Sequence, residues 1–219
     1  MKKLICAALV GLCGFASFAE AEKDDYTGFL LWPYVDEASF SGLTVNLFSA
    51  EFETFSGCAI TGFYSREAMG EGFSLSLLAT YARDRFDGVA IAGGSTGGKC
   101  LNGGFFGLLS ATGENLRGYA GAALFNDFSR VDGWSDGLFC NRADQVNGCQ
   151  TSLCHATCEG DLNGCQIACV ALTRKRVNGV QIGIFNIAGE ELDGAQIGLF
   201  NIAPGTLNLP IVNCGRRTK

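Results

Sequence analysis

Proline and histidine are almost missing from this chain: 219 residues carry three prolines and one histidine, against 31 glycines. Scarce proline with abundant glycine, in a chain 47% hydrophobic, is not the composition of a disordered segment. It fits a folded chain with many tight turns or close backbone contacts. Because His155 is the only histidine, a cysteine nucleophile has a single base available, and no oxyanion donors are evident beside it. Positive charge is in deficit too, with a formal net charge of -6. That argues against nucleic acid and against an electrostatic hold on anionic lipid. No apolar run after Phe18 is long enough for a membrane helix, which leaves a soluble protein or a β-barrel.

The first residues read as a targeting segment. Lys2 and Lys3 precede an apolar run from Leu4 to Phe18, and Ala19-Glu20-Ala21 has the small–x–small pattern of a signal-peptidase site. Residues 1–21 are therefore expected to be a signal peptide, with the exported chain starting near Glu22. Leu12 stands where a lipobox has Gly or Ala, which disfavours lipidation at Cys13.

A repeat fills the remainder. Val177–Ala203 contains one phrase twice, VNGVQIGIFN and LDGAQIGLFN, fifteen residues apart. Stepping back from its glycine finds Gly42, Gly57, Gly72, Gly88, Gly103, Gly118, Gly133, Gly148, Gly164, Gly179 and Gly194, in steps of 15 with 16 at 72→88 and 148→164. A degenerate twelfth unit starts near Leu207, with Leu209 at the glycine position. Two residues before the glycine stands a large apolar residue (Phe40, Phe55, Phe86, Leu101 and so on), with Gly70 the exception; the residue just before it is always polar. Charges gather between phrases, as at Arg83-Asp84-Arg85, Arg174-Lys175-Arg176 and Glu190-Glu191.

Within a phrase, polarity alternates with period 2 over about eight residues, a strand signal. Val180, Ile182 and Ile184 share one face, and Gly179, Gln181 and Gly183 the other. The apolar face is expected to bury against a core. Two all-β architectures fit. In a β-solenoid of 11–12 fifteen-residue coils, large apolar residues fill the interior and identical positions stack about 4.8 Å apart. The beat Val177, Ile182, Ile187, Leu192, Ile197, Ile202, Leu207, Val212 suggests three five-residue sides per coil. The columns Gln150, Gln166, Gln181, Gln196 and Asn186, Asn201 suggest amide ladders. The alternative is a 12-stranded antiparallel up-and-down barrel, for which the apolar positions are few and the connections short. The solenoid is preferred.

The phrases VNGVQIGIFN and LDGAQIGLFN resemble the leptospiral-type surface repeats of bacteria, whose unit is a tandem G-L-Q-I-G-L-x-N after a signal peptide. FSGLTVNLFS at Phe40–Ser49 and Leu209–Asn213 are similar to that family's opening and closing segments. From Phe40 to Val170 the likeness is loose, with Thr44, Ala59, Ser74 or Ala90 in place of the glutamine. The resemblance implies an exported envelope or surface protein and supplies no catalytic residues.

The cysteines are numerous, 11 in all, with nine after the signal segment. In an exported chain disulfides are the default. Register places Cys149 beside Cys165 and Cys154 nearly beside Cys169 in a parallel stack, so these are the expected pairs, bonded or adjacent. Equally, they serve as small core residues. Cys154-His155-x-x-Cys158 lacks the order a haem site needs, and a zinc set of Cys154, His155, Cys158 and Cys165 lacks C-x2-C spacing.

Gly93–Lys99 departs from the phosphate-loop pattern and reads as a turn between coils. Asp127, Asp132, Asp136 and Asp144 read as solvated turn charges rather than calcium ligands. Trp134 and Asp136 mark the Gly133 unit as the best local contact site.

The expected organisation is a signal segment (1–21), an N-terminal cap (22–39) covering the first coil with Tyr26, Phe29, Leu30, Leu31, Trp32 and Tyr34, one repeat domain (40–213) and a basic tail (214–219) in which Arg216, Arg217 and Lys219 discourage end-to-end growth. The expected role is a non-enzymatic scaffold without cofactors or resident metal, working with envelope or surface protein partners and not with nucleic acid; a pore or anchor follows only from the barrel.

Overall fold

A computed structural model describes residues 25–215. It is a parallel β-solenoid of about 11 turns, all-β, and not a barrel. Successive coils pair in parallel and in register: Gly118 on Gly133, Gly133 on Gly148, Gly148 on Gly164, Gly164 on Gly179 and Gly179 on Gly194. At about 4.8 Å per coil the rod is about 50–60 Å long. An antiparallel barrel needs the opposite pairing and a closed sheet, so that alternative fails on strand direction. The ladder does not stop at the bends. Phe63 donates its N–H to the Phe48 carbonyl, Leu109 to Gly94 and Ile184 to Cys169, so the corners also hydrogen-bond coil to coil.

The glycine column is the vertical seam. Each column glycine has φ between +113° and +150°, closed to ordinary L side chains, and the column begins at Gly28, one turn earlier than the repeat suggests. A Cβ on Gly118 would stand 2.3 Å from the carbonyl oxygen of Gly103, and one on Gly42 would stand 2.1 Å from that of Gly28. The segment 22–39, expected as a cap, thus carries a turn of the column itself. Leu31 there is exposed; the side chains of Tyr26, Phe29, Leu30, Trp32 and Tyr34 lie outside the described residues, as does the expected signal segment 1–21 with Cys6 and Cys13.

The interior reverses the expected facing. The buried positions of the late coils are Val177, Gln181, Asn186 and Ala188, then Leu192, Gln196, Asn201 and Ala203. Ile182, Ile184, Ile197 and Leu199 point outward and are exposed. Only Val177 and Leu192 of the supposed five-residue beat lie in the core, so three equal apolar sides are not what shapes the coil. In the late coils buried amides reach across the interior. Backbone carbonyls on the far side of the coil face a small interior and need donors. Gln166 Nε2 donates to Leu172 O (3.3 Å), Gln181 to Ile187 O (3.2 Å) and Gln196 to Ile202 O (3.1 Å). Each amide also donates to the glutamine one coil before it, at 3.0, 2.9 and 2.8 Å along Gln150, Gln166, Gln181 and Gln196. The asparagine step runs the other way, Asn186 Nδ2 donating to Asn201 Oδ1 one coil after it (2.8 Å). The amide ladders read from the sequence are therefore present, and they are internal. Towards the N-terminus the same column holds Thr44, Ala59, Ser74 and Ala90, and the volume is filled instead by Phe40, Phe52, Phe55 and Phe86.

Both 16-residue steps place their extra residue at one corner. Pairing skips between Ala82 and Arg85, and again between Cys158 and Leu162 against Ala143 and Val146. The corner is charged and solvated, so an insertion there leaves the core register intact. Its pairs include Arg83–Glu51 (2.7 Å), Lys99–Asp84 (3.4 Å) and Arg174–Glu159 (2.6 Å). Exposed pairs of this kind are worth about 0–1 kcal/mol each.

The twelfth unit is not a coil. After a turn through 204–210, Ile211–Gly215 runs back antiparallel on Glu191–Gly198, with Asn213 opposite Gln196. Leu209 is exposed and does not join the glycine column. Asn213 is buried and donates to Gln196 Oε1 (3.0 Å), so the last glutamine's acceptor is filled by a residue that cannot propagate the ladder. Cys214 and Gly215 belong to this closing strand rather than to a tail; Arg216, Arg217 and Lys219 lie outside the described residues.

Gly118→Ala combines a forbidden φ with a carbonyl in the way, and is expected to cost at least about 3 kcal/mol by urea denaturation, in the range reserved for strained or overpacked sites. Gly205→Ala, with a positive φ but nothing within 4 Å, is expected to cost only about 1–2 kcal/mol. Equal losses at both sites would show that the stacked carbonyl is unimportant.

Candidate interaction face

The strand after each column glycine ends in a bend, and the residues of that bend form an exposed apolar corner along the whole rod. It contains Leu47-Phe48, Phe63-Tyr64, Leu77-Leu78, Leu108-Leu109, Leu124-Phe125, Leu138-Phe139, Leu153, Ile184-Phe185 and Leu199-Phe200. Leu77 and Leu108 are the most open within the repeat, 68% and 63% exposed. Identical residues stack: the Phe185 and Phe200 rings lie 4.8 Å apart and 9° from parallel, and Phe48 and Phe63 6.0 Å apart and 3° from parallel. The outward column Ile60, Leu75, Ile91, Phe106, Ile167, Ile182 and Ile197 flanks this corner. Between the two runs a shallow groove of about 720 Å³, lined by Ile91, Phe106, Leu108, Tyr119, Leu138 and Leu153 among others. Contiguous apolar surface of this extent is the mark of an interaction site.

The groove has one polar station. Asp136 accepts from Tyr119 Oη and Trp134 Nε1, both at 2.8 Å, and Trp134 Nε1 also lies 3.4 Å from Thr151 Oγ1. Burial, reinforced by the hydrogen bond and charge of Asp136, pushes the Tyr119 phenol up to about 12. The sequence pointed to Trp134 and Asp136 but not to Tyr119, which only the pairing of adjacent coils places beside Trp134. Asp132 is held below the usual carboxylate range by hydrogen bonds from Arg130 (2.9 Å) and Asn147 (2.8 Å). Asn163 and Asn178 continue that outer polar column. Among the described residues no group of three or more His, Cys, Asp or Glu side chains is placed to hold a metal ion.

Both cysteine pairs are neighbours. Cys149 and Cys165 are register partners in adjacent parallel strands. Cys154 and Cys169 precede the partners His155 and Val170, and Cys169 donates its N–H to Leu153 O. All four are free thiols, so the expected bonds are not formed; stacking in register places them side by side without linking them. Burial, then the neighbouring Cys149, raises the Cys165 thiol above its usual range. The zinc set does not assemble. Cys158 is buried in the core, where burial pushes its thiol up to about 11, whereas Cys154 stands exposed on the corner and His155 Nε2 is hydrogen-bonded to Thr157 Oγ1. Gly93 and Gly94 form a bend and Ser95–Gly107 a strand, so the glycine-rich stretch is a coil corner and not a phosphate loop.

One buried titratable group was not foreseen. Glu67 is fully buried, accepts from Ser65 Oγ (2.7 Å) and Ser74 Oγ (3.0 Å), and has no partner on Oε2. Burial raises its carboxyl to about 7. Gly70, the one exception in the large apolar column, is explained by it: a Cβ there would meet the Phe86 ring at 2.5 Å and Glu67 Oε2 at 2.9 Å.

No family model, no characterised protein and no solved structure matches this chain. What the fold and surface define is a class: a β-solenoid with an apolar outer corner.

Glu67 generates a pH prediction. Its folded value lies above the unfolded one, so the folded state binds the extra proton and the contribution to stability is complete below about 4.5 and lost as pH rises through about 7. The urea midpoint is expected to fall between pH 5 and pH 8, and Glu67→Gln to flatten that slope. An unchanged slope in the variant would remove Glu67 as its source. In the ladder, Gln181→Ala leaves Gln196 Nε2 without its side-chain acceptor and opens a cavity, and is expected to cost about 2–4 kcal/mol; a loss below about 1 kcal/mol in thermal denaturation would show the ladder to be dispensable.

Proposed function

We propose that this chain is an exported, non-enzymatic interaction scaffold of the bacterial envelope or cell surface, and that its apolar corner is the working surface. The observation that carries the reading is the outward facing of Leu and Phe in coil after coil, while amides that elsewhere sit on a surface are turned inward. Exposing this much apolar surface opposes solubility, and a covering partner is the economical explanation. A solenoid suits the task because each coil contacts only its neighbours and a flat face of any length can be built. The residue types an enzyme needs are dispersed: Glu67 is sealed in the core, His155 is engaged by Thr157, and carboxylates such as Asp87 and Asp132 are paired with arginines. Export is supported by the signal-type opening of the sequence, and the surface location by the likeness to leptospiral-type surface repeats.

Expression with the native N-terminal segment tests this reading. A processed chain beginning near Glu22 is expected in the envelope fraction. Retention there should drop at least several-fold in Leu77→Glu/Leu138→Glu, whose circular dichroism should match the parent. An unprocessed cytosolic chain, or a variant retained as well as the parent, would overturn the proposal.

A further inference from the structure

The apolar corner is emptier of charge than composition explains. From the third to the eighth residue after each column glycine there is no Lys, Arg or Glu and one Asp, Asp136, although 17% of the chain is charged. The exposed side chains of these stretches are Ile, Leu, Phe, Tyr and Cys, while their Ser, Thr and Asn are buried or half-buried. Where the bend carries no side chain, at Gly62 and Gly93, a Cβ would strike the Leu47 and Leu77 carbonyl oxygens, so those gaps belong to the fold. The closing strand keeps to the same rule without repeating the coil: Ile211 lies opposite Gly198 and Val212 opposite Ile197, and both are exposed.

Two properties choose the occupant. A protein–protein interface carries about one hydrogen bond per 100–200 Å². This corner has few groups to offer one, because its backbone is spent on bonds between coils: Leu78 N–H donates to Phe63 O (3.0 Å), Leu124 N–H to Leu109 O (3.1 Å) and Leu153 N–H to Leu138 O (2.9 Å). Both oxygens of Asp136 are likewise taken, by Tyr119 and Trp134. Hydrocarbon requires such an arrangement, since polar groups facing it find partners only within the protein. The second property is where the charge lies. It gathers at the other bend, with Arg83, Lys99, Glu159 and Arg174, and leaves the Leu and Phe corner uncharged along the rod. This division lays an amphipathic element in the plane of a bilayer interface, its apolar side about 5–10 Å deep. Trp134 and Tyr119, on the margin of the strip, carry the amphipathic rings that favour that interface. A net charge of -6 gives no attraction to anionic headgroups, so insertion and not charge must hold the chain. We infer that the solenoid lies lengthwise on a lipid surface, with its leucine and phenylalanine corner inserted among the acyl chains of neutral phospholipid. The inference rests on the corner being the working surface and names what covers it.

The test is flotation of the processed chain, purified after export, with phosphatidylcholine vesicles in a density gradient. The chain is expected to float with the lipid, equally in low and high salt and no more strongly when phosphatidylglycerol is mixed in. Leu77→Glu/Leu108→Glu should weaken binding at least tenfold, and Lys175→Glu, on the charged bend, should leave it unchanged; the circular dichroism of each should match the parent. Fluorescence reads insertion without any loss of binding. Phe139→Trp should add emission that brominated phosphatidylcholine quenches, and Ser129→Trp, on the charged bend, emission that it does not. A chain that stays in the buffer, binding that needs phosphatidylglycerol and is lost in salt, or equal quenching of the two tryptophan variants overturns the inference. If vesicles are ignored while envelope retention still depends on Leu77 and Leu138, a protein covers the corner and the scaffold reading stands without the lipid. If vesicles are bound while retention is independent of those leucines, the scaffold reading fails and the lipid inference stands.

Discussion

Every coil of this solenoid is tied to the next at a glycine whose absent Cβ leaves room for a carbonyl oxygen. Column glycines from Gly28 to Gly194 share a positive φ that L side chains avoid, and each carbonyl occupies the space above its neighbour. With the seam fixed, residues two before and two after the glycine turn inward in coil after coil. The seam thus sets register, and register sets everything that stacks: the glutamine ladder, the aromatic stacks at the corner, and the paired thiols.

The small bore of the coil sorts polarity in an unusual way. A wide β-sandwich buries its apolar face because two sheets supply a thick core. Here a buried amide can reach a carbonyl across the coil while also bonding the amide of the coil before, so burying it leaves few polar atoms unpaired. Gln150, Gln166, Gln181 and Gln196 do this in the C-terminal half. In the N-terminal half, phenylalanines fill the volume, and Glu67 stands incompletely satisfied between Phe52 and Ala82.

At the C-terminal end the chain reverses direction, and Asn213 ends the amide ladder with a shorter side chain on an antiparallel strand. Reversal removes the in-register parallel edge that another coil would need. Insertions are confined to the charged corner, where solvent absorbs an extra residue without shifting the seam.

The sequence by itself determined the repeat length, the glycine seam and the column of large apolar residues at Phe86, Leu101 or Val177, and it favoured the solenoid over the barrel, because a strict spacing with one obligatory residue admits few folds. It also placed Cys149 next to Cys165 and set Trp134 and Asp136 apart. It misjudged the facing of Gln181 against Ile182, since period-2 alternation says that two faces differ but not which one is inside. Only the tertiary structure decided that, with Gln181 turned inward to donate to Ile187 O and Gln166 Oε1 while Ile182 faces out. The tertiary structure also decided the reversal at Ile211–Gly215, the reason for Gly70 beside Glu67, and the joining of Tyr119 to Asp136, all of which depend on contacts between coils that a single strand of sequence does not display.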